Sequence, residues 1–189
     1  MVRIFKIIGY VGFSKHHKLK LECSSPHVIT YTDADFSVNR DDRTSMGSQL
    51  VFLDTAPIMW RTSKQKSVSF YYGIGVFFND GMQLKELMWF NRISQKCVDR
   101  KFFNEPKLQS DLFVDNLAAI DFVKSLIENH RTKHIDVKLF FIRNLFFQNA
   151  FNIKYVNSKD NIADALTKLS TKLELKRYSD QMFLNNLRL

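Results

Sequence analysis

Cysteine, proline and glycine are all scarce in this chain of 189 residues, and each scarcity removes a class of protein. The only two cysteines, Cys23 and Cys97, form no Cys-x-x-Cys pair and fit no His/Cys pattern at zinc spacing. A structural disulfide and a zinc finger are therefore not expected, and a reducing compartment is the default. Three prolines and six glycines leave no obvious flexible linker, low-complexity segment or internal repeat. Long apolar runs are also lacking. The longest, Phe70 to Phe78, is far too short to span a bilayer, and Arg3 and Lys6 interrupt the N-terminus where a secretory signal would need an apolar core. The expectation is an intracellular chain with no membrane partner.

What is present points to a packed domain. Hydrophobic residues make up 45% of the chain and aromatic residues 14%, including 18 phenylalanines, which excludes disorder and suffices for one domain with a substantial core. The net charge of +9 suits a polyanionic partner, and suits a merely basic soluble surface equally well. Trp60, Trp89 and the many phenylalanines read as core residues.

Along the chain, Met1 to Tyr10 reads as a short basic amphipathic piece and Lys15 to Lys20 as a charged turn. His27 to Phe36 is a β-branched run ending in Asp33 and Asp35. Gln49 to Leu53 and Ile58 to Arg61 follow at short gaps, which predicts an antiparallel meander. Met82 to Ile93 has helical spacing, Asp111 to Val114 reads as a strand and Asn116 to Glu128 as a helix. His134 to Gln148 is a strongly apolar helix and Phe151 to Val156 an alternating strand. Asp160, a possible N-cap, opens a helix to Lys168, and Thr171 to Leu189 is a further amphipathic helix. This order predicts an α/β domain with a mixed sheet.

Three aspartates each close or follow a short apolar run: Asp33, Asp115 and Asp164. Singly, they read as a strand-end residue, half of an N-cap pair with Asn116, and a surface residue of an amphipathic helix. Together, carboxylates at the end of a first strand, the end of a central strand and the start of a late helix can converge at one sheet edge. Such a cluster suits Mg²⁺ or Mn²⁺, and two such ions can activate water for phosphodiester cleavage.

The motifs around these aspartates make the pattern specific. Tyr31-Thr32-Asp33-Ala34-Asp35-Phe36 precedes Asp42-Arg43 and Ser45, and Ile58-Met59-Trp60 precedes Ser63-Lys64-Gln65. Asp115-Asn116 with Ala119-Ile120 follows, then His130-Arg131-Thr132-Lys133-His134-Ile135-Asp136 with Phe141-Ile142-Arg143. Tyr155-Val156 and Ile162-Ala163-Asp164-Ala165-Leu166-Thr167-Lys168 close the set. In this order they resemble the RNase H domain of copia-type retrotransposon Pol polyproteins, over nearly the whole chain. The resemblance implies an RNase H-like fold, a mixed five-stranded sheet with antiparallel first three strands, flanked by helices. It further implies that residues 1–26 are a remnant of the preceding reverse-transcriptase region, 27–169 the RNase H-like domain and 170–189 a C-terminal helical tail. The implied activity is two-metal hydrolysis of RNA in RNA–DNA hybrids, in the cytoplasmic setting of retrotransposon particles. Asp33, Asp115 and Asp164 take the metal-ligand and catalytic positions, and Asp35 is a neighbour.

The stretch that carries the family's acidic pair departs from the pattern. The family's metal-binding glutamate lies in a Ser-Ser-Thr-Glu-Ala-Glu-Tyr stretch, which falls here on Tyr71 to Phe77 when Ser63–Ser69 and Lys85-Glu86 with Trp89 are matched. Ile74 and Val76 stand at the two glutamate positions, Val76 at the catalytic one. Gly73 and Gly75 weaken a helix start there by up to about 1 kcal/mol each relative to alanine. The resemblance therefore implies weak metal binding and weak or no hydrolysis. Asp80, one helical turn after Val76, is the one conceivable substitute, and reads equally as a solvated residue beside Gly81. Ser48-Gln49, Phe140 and Asn144 also depart from the family pattern and read as drift.

Arg131 and Lys133 are candidate contacts to a phosphate backbone, while His134 reads as an anchor of the following helix. Three functions stay open at this point: a damaged RNase H-like domain that still binds hybrid or duplex nucleic acid, an active metal-dependent ribonuclease using Asp80, and a non-catalytic nucleic-acid-binding or interaction module.

Overall fold

The computed structural model describes residues 2–16, 18–19, 21–35, 46–64, 82–104, 108–125, 133–168 and 170–184. Val76, Asp80 and Arg131 lie outside them. The elements in chain order are α1 (Val2–Ser14), β1 (Lys18–Leu19), β2 (His27–Asp35), β3 (Met46–Leu53), β4 (Ala56–Lys64), α2 (Met82–Asp99), β5 (Gln109–Val114), α3 (Leu117–Lys124), α4 (Lys133–Phe147), β6 (Asn152–Tyr155), α5 (Lys172–Met182) and β7 (Phe183–Leu184). Two short 3₁₀ helices, Ser158–Asp160 and Ile162–Leu166, lie between β6 and α5. Among the described residues no helix is long and apolar enough to cross a membrane.

The main sheet has five strands in the order β4-β3-β2-β5-β6. β2, β3 and β4 form the antiparallel meander, while β5 runs parallel to β2 and β6 parallel to β5. Both faces of the sheet are covered, which explains why the strands are apolar on both sides. Val28, Val51, Leu112, Val114 and Ile153 pack on one face against Leu87 of α2, Val123 of α3 and Ile142 of α4. Leu50 and Phe52 on the other face meet Ile162 of the second 3₁₀ helix and Tyr178 of α5. The second core explains the position of the C-terminal tail: Tyr178 holds α5 on the sheet, and β7 pairs antiparallel with β1, Leu19 opposite Phe183.

Several details differ from the sequence reading. The tail expected as one helix from Thr171 to Leu189 is helical only to Met182 and continues as strand β7, which pairs with β1 inside the expected charged turn. The expected helix from Asp160 to Lys168 is two 3₁₀ turns, and its cap is Asn161, whose side chain accepts from Ala163 N. Asp160 instead pairs with Arg177 of α5. The expected helix from Asn116 begins one residue later with Asn116 as its cap, accepting from Ala119 N at 3.0 Å. Trp60 and Trp89 are not core: they are 57% and 63% exposed, because the cores are filled by aliphatic side chains, Phe52, Phe151 and Tyr178. Phe102, Phe140, Phe141 and Phe147 are exposed as well.

Candidate metal centre

Strand alternation places His27, Ile29, Tyr31 and Asp33 of β2 on one sheet face, next to Asp111 and Phe113 of β5. The parallel register pairs Thr32 with Val114, so Asp33 and Asp115 are the next residues on neighbouring strands. They emerge together at the C-terminal edge of the parallel pair, where ligands collect in open α/β sheets. Because Asn116 caps α3, the Asp115 side chain is not needed there.

Asp164 reaches the same edge through its 3₁₀ helix, which three hydrogen bonds fasten to the meander. Asn161 Nδ2 donates to Thr32 O at 3.0 Å, Ser48 Oγ to Ala163 O at 2.9 Å, and Thr62 Oγ1 to Leu166 O at 3.1 Å. Asn161 and Ser48 are completely buried. Ser48 therefore has a definite structural task here. Sequence reasoning missed Asn161, although an asparagine directly before an Ile-Ala-Asp turn is a recognisable cap signal.

One carboxylate oxygen from each of Asp33, Asp115 and Asp164 lies within 4.8 Å of the others. The structure thus brings together the three aspartates singled out in the sequence. The Thr167 hydroxyl donates to Asp33 Oδ2. Lys168 Nζ lies 2.8 Å from Asp164 Oδ2 and 3.6 Å from Asp33 Oδ1. Asp164 Oδ1 is buried and has no hydrogen-bond partner among the described residues. Burial, opposed by Lys168 and reinforced by the charges of Asp33 and Asp115, pushes the Asp164 carboxyl up to about 6. Burial disfavours the Lys168 ammonium, but the three carboxylates outweigh it and hold its pKa above the ordinary 10.5. Lys133 lies at the start of α4, and its side chain, like Arg131, lies outside the described residues.

A second acidic residue on the same face belongs to a different arrangement. Asp111 is buried and accepts from Lys154 Nζ at 2.7 Å and Asn152 Nδ2 at 3.0 Å, with His27 Nε2 at 2.9 Å. Burial alone would raise its pKa, but these hydrogen bonds hold it below the ordinary carboxylate range. This cluster ties β6 and β2 to β5 at the opposite end of the strands from Asp33 and Asp115.

A mixed five-stranded sheet flanked by helices on both faces, with carboxylates meeting at the edge beside its central strands, defines an RNase H-like fold. An RNase H1 isolated from compost superposes with a TM-score of 0.53 at 11% identity, covering 75% of this chain and 93% of that one. In sequence, the chain is similar to the retrovirus-related Pol polyprotein from transposon RE1 of Arabidopsis thaliana, 24% identical over 178 residues. It is also 29% identical over 147 residues to the Pol polyprotein from transposon TNT 1-94 of Nicotiana tabacum. These matches cover 94% and 77% of the chain but only 12% and 10% of the polyproteins, so the chain spans about a tenth of their length. No family model matches the chain. The chain is an RNase H-like domain, and its homologues are copia-type Pol polyproteins of transposons.

Proposed function

We propose that this domain derives from a two-metal nuclease acting on the RNA strand of RNA–DNA hybrids, and that it holds a divalent cation weakly and hydrolyses RNA weakly or not at all. The observation that carries this reading is the convergence of Asp33, Asp115 and Asp164, with the buried Oδ1 of Asp164 left without a partner. All the donors are carboxylate oxygens, which fit Mg²⁺ or Mn²⁺ and not a soft metal. A cation held there would lower the pKa of a water and stabilise the leaving oxygen of a phosphodiester.

The chain's own residues set how far the chemistry can go. Thr167 orients Asp33 through its Oδ2, leaving Oδ1 on the side of Lys168. Asn161, Ser48 and Thr62 fix the height of Asp164 above the sheet edge. Val76 stands where the resemblance places a glutamate ligand, and its aliphatic side chain donates no oxygen. Loss of a group that merely supports a ligand costs about 10–100-fold in affinity or activity, and loss of a ligand should cost more. Arg131 and Lys133 are proposed to contact the phosphate backbone of hybrid or duplex nucleic acid. Residues 1–26 and 170–189 flank a 27–169 catalytic-type unit in this reading. The implied protein partner is a reverse-transcriptase region of the same polyprotein, in a cytoplasmic particle.

The test is cleavage of a labelled RNA–DNA hybrid in Mg²⁺ and in Mn²⁺. The wild-type chain is expected to show no detectable product, and Val76→Glu is expected to gain cleavage. Robust wild-type cleavage that disappears in Asp80→Ala would overturn the proposal in favour of an active site completed by Asp80.

A further inference from the structure

The basic side chain inside the carboxylate cluster is the feature that metal-ligand chemistry alone does not explain. Lys168 lies four residues after Asp164, one turn on, and its ammonium reaches two of the three aspartates. It lies 2.8 Å from Asp164 Oδ2 and 3.6 Å from Asp33 Oδ1, on two of the three carboxylates that could hold a cation at this edge. Asp33 and Asp164 are nearly enclosed, with side chains 4% and 13% exposed, whereas the Lys168 side chain is 39% exposed and has a path to solvent. The backbone beneath it is pinned by the Thr62 bond to Leu166 O and by the Lys168 N bond to Asp164 O, so the mobile part is the four-carbon arm.

We infer that Lys168 is the built-in counter-cation of this cluster, and that a divalent ion enters by displacing its ammonium from Asp33 and Asp164 toward solvent. The inference rests on the metal-binding reading above and adds a residue to it. Lys168 neutralises part of the charge of three crowded carboxylates, which stabilises the fold, and for the same reason it competes with the metal. The alternative role, a lysine that orients Asp164 for the metal, predicts the opposite effect on affinity.

The experiment measures Mn²⁺ binding to the full chain by calorimetry for wild type, Lys168→Met and Lys168→Arg, with no activity assay required. Lys168→Met is expected to bind Mn²⁺ about tenfold more tightly, because the ion no longer has to break the ammonium's charge-assisted hydrogen bond. Lys168→Arg, which keeps the charge, should stay near wild type. In parallel, acetic anhydride labelling of Lys168 in the wild-type chain, read by peptide mass spectrometry, should rise when Mn²⁺ is added. This arm holds even where Lys168→Met fails to fold. Unchanged or weaker Mn²⁺ binding by Lys168→Met, or labelling that ignores bound Mn²⁺, overturns the counter-cation role while leaving the metal site standing. Absence of Mn²⁺ binding in wild type and Lys168→Met alike brings down the metal reading itself.

Discussion

The carboxamide of Asn161 donates to the main-chain oxygen of Thr32, the residue before Asp33, and so joins the turn that carries Asp164 to the strand that carries Asp33. Its Oδ1 simultaneously caps Ala163 N. Asn161→Ala leaves a buried carbonyl and a helix-start amide unpaired, and the expected loss is about 2–4 kcal/mol by denaturant titration. Asn161→Asp keeps the cap but replaces the donor with an acceptor facing a carbonyl, so it should be no better. Both should weaken Mn²⁺ binding; wild-type affinity in a folded Asn161→Ala chain would refute the alignment role.

Arg143 belongs to the most distinctive sequence motif, and its task is to tie α4 to the end of α3. Nε and Nη2 donate to Phe122 O at 3.2 and 2.8 Å, and Nη2 donates to Ser125 Oγ at 3.2 Å. The guanidinium also lies over the Phe122 ring, 5.2 Å from its centroid. Arg143→Ala should cost about 2–3 kcal/mol, and Arg143→Lys should recover only part because an ammonium cannot reproduce the fork. Complete rescue by lysine in thermal melts would show that charge, not geometry, is what matters.

Asp111 makes acid stability predictable. Its folded pKa lies below the ordinary value of 3.8, so the folded state prefers the charged carboxylate. Its contribution is fully present above the unfolded pKa and is lost as pH falls through the lower folded one. Melting temperature should therefore drop below about pH 4, the unfolded aspartate range. Asp111→Asn should lower stability by about 2 kcal/mol at neutral pH and flatten that acid limb. An unchanged limb in the variant would assign the acid loss to other groups.

If Arg131 and Lys133 meet phosphates, each alanine substitution should weaken hybrid binding and reduce the log–log salt slope by about one. Filter binding across a salt series measures both. Weaker binding at an unchanged slope would mean the substitutions disturb the fold and not a phosphate contact.

Much of the fold could be read from residue order. Strand alternation, short gaps between Gln49 and Arg61, and helical spacing from Met82 place the meander and the helices, because these patterns reflect local period and turn length. Asp33 and Asp115 were legible because each directly follows an apolar strand run. The turn carrying Asp164 was misread as an α-helix because its 3₁₀ geometry and its cap at Asn161 are imposed by bonds to Thr32, Ser48 and Thr62, all more than a hundred residues away in sequence.

By itself, then, the sequence determined the two-faced apolar sheet, the sites of the three aspartates and the absence of an acid at Val76, since each of these is a matter of residue type and spacing. Only the tertiary structure decided which aspartate does what. Asp111 and Asp115 lie four residues apart, one inside β5 and one just beyond its C-terminal end, and nothing in that spacing separates them. Asp111 meets Lys154, Asn152 and His27 and is spent on holding strands together, while Asp115 meets Asp33 and Asp164 at the open edge. A carboxylate's role follows from the charges that long-range packing brings within a few ångströms of it, and the placement of Lys168 among three of them is the same principle at work.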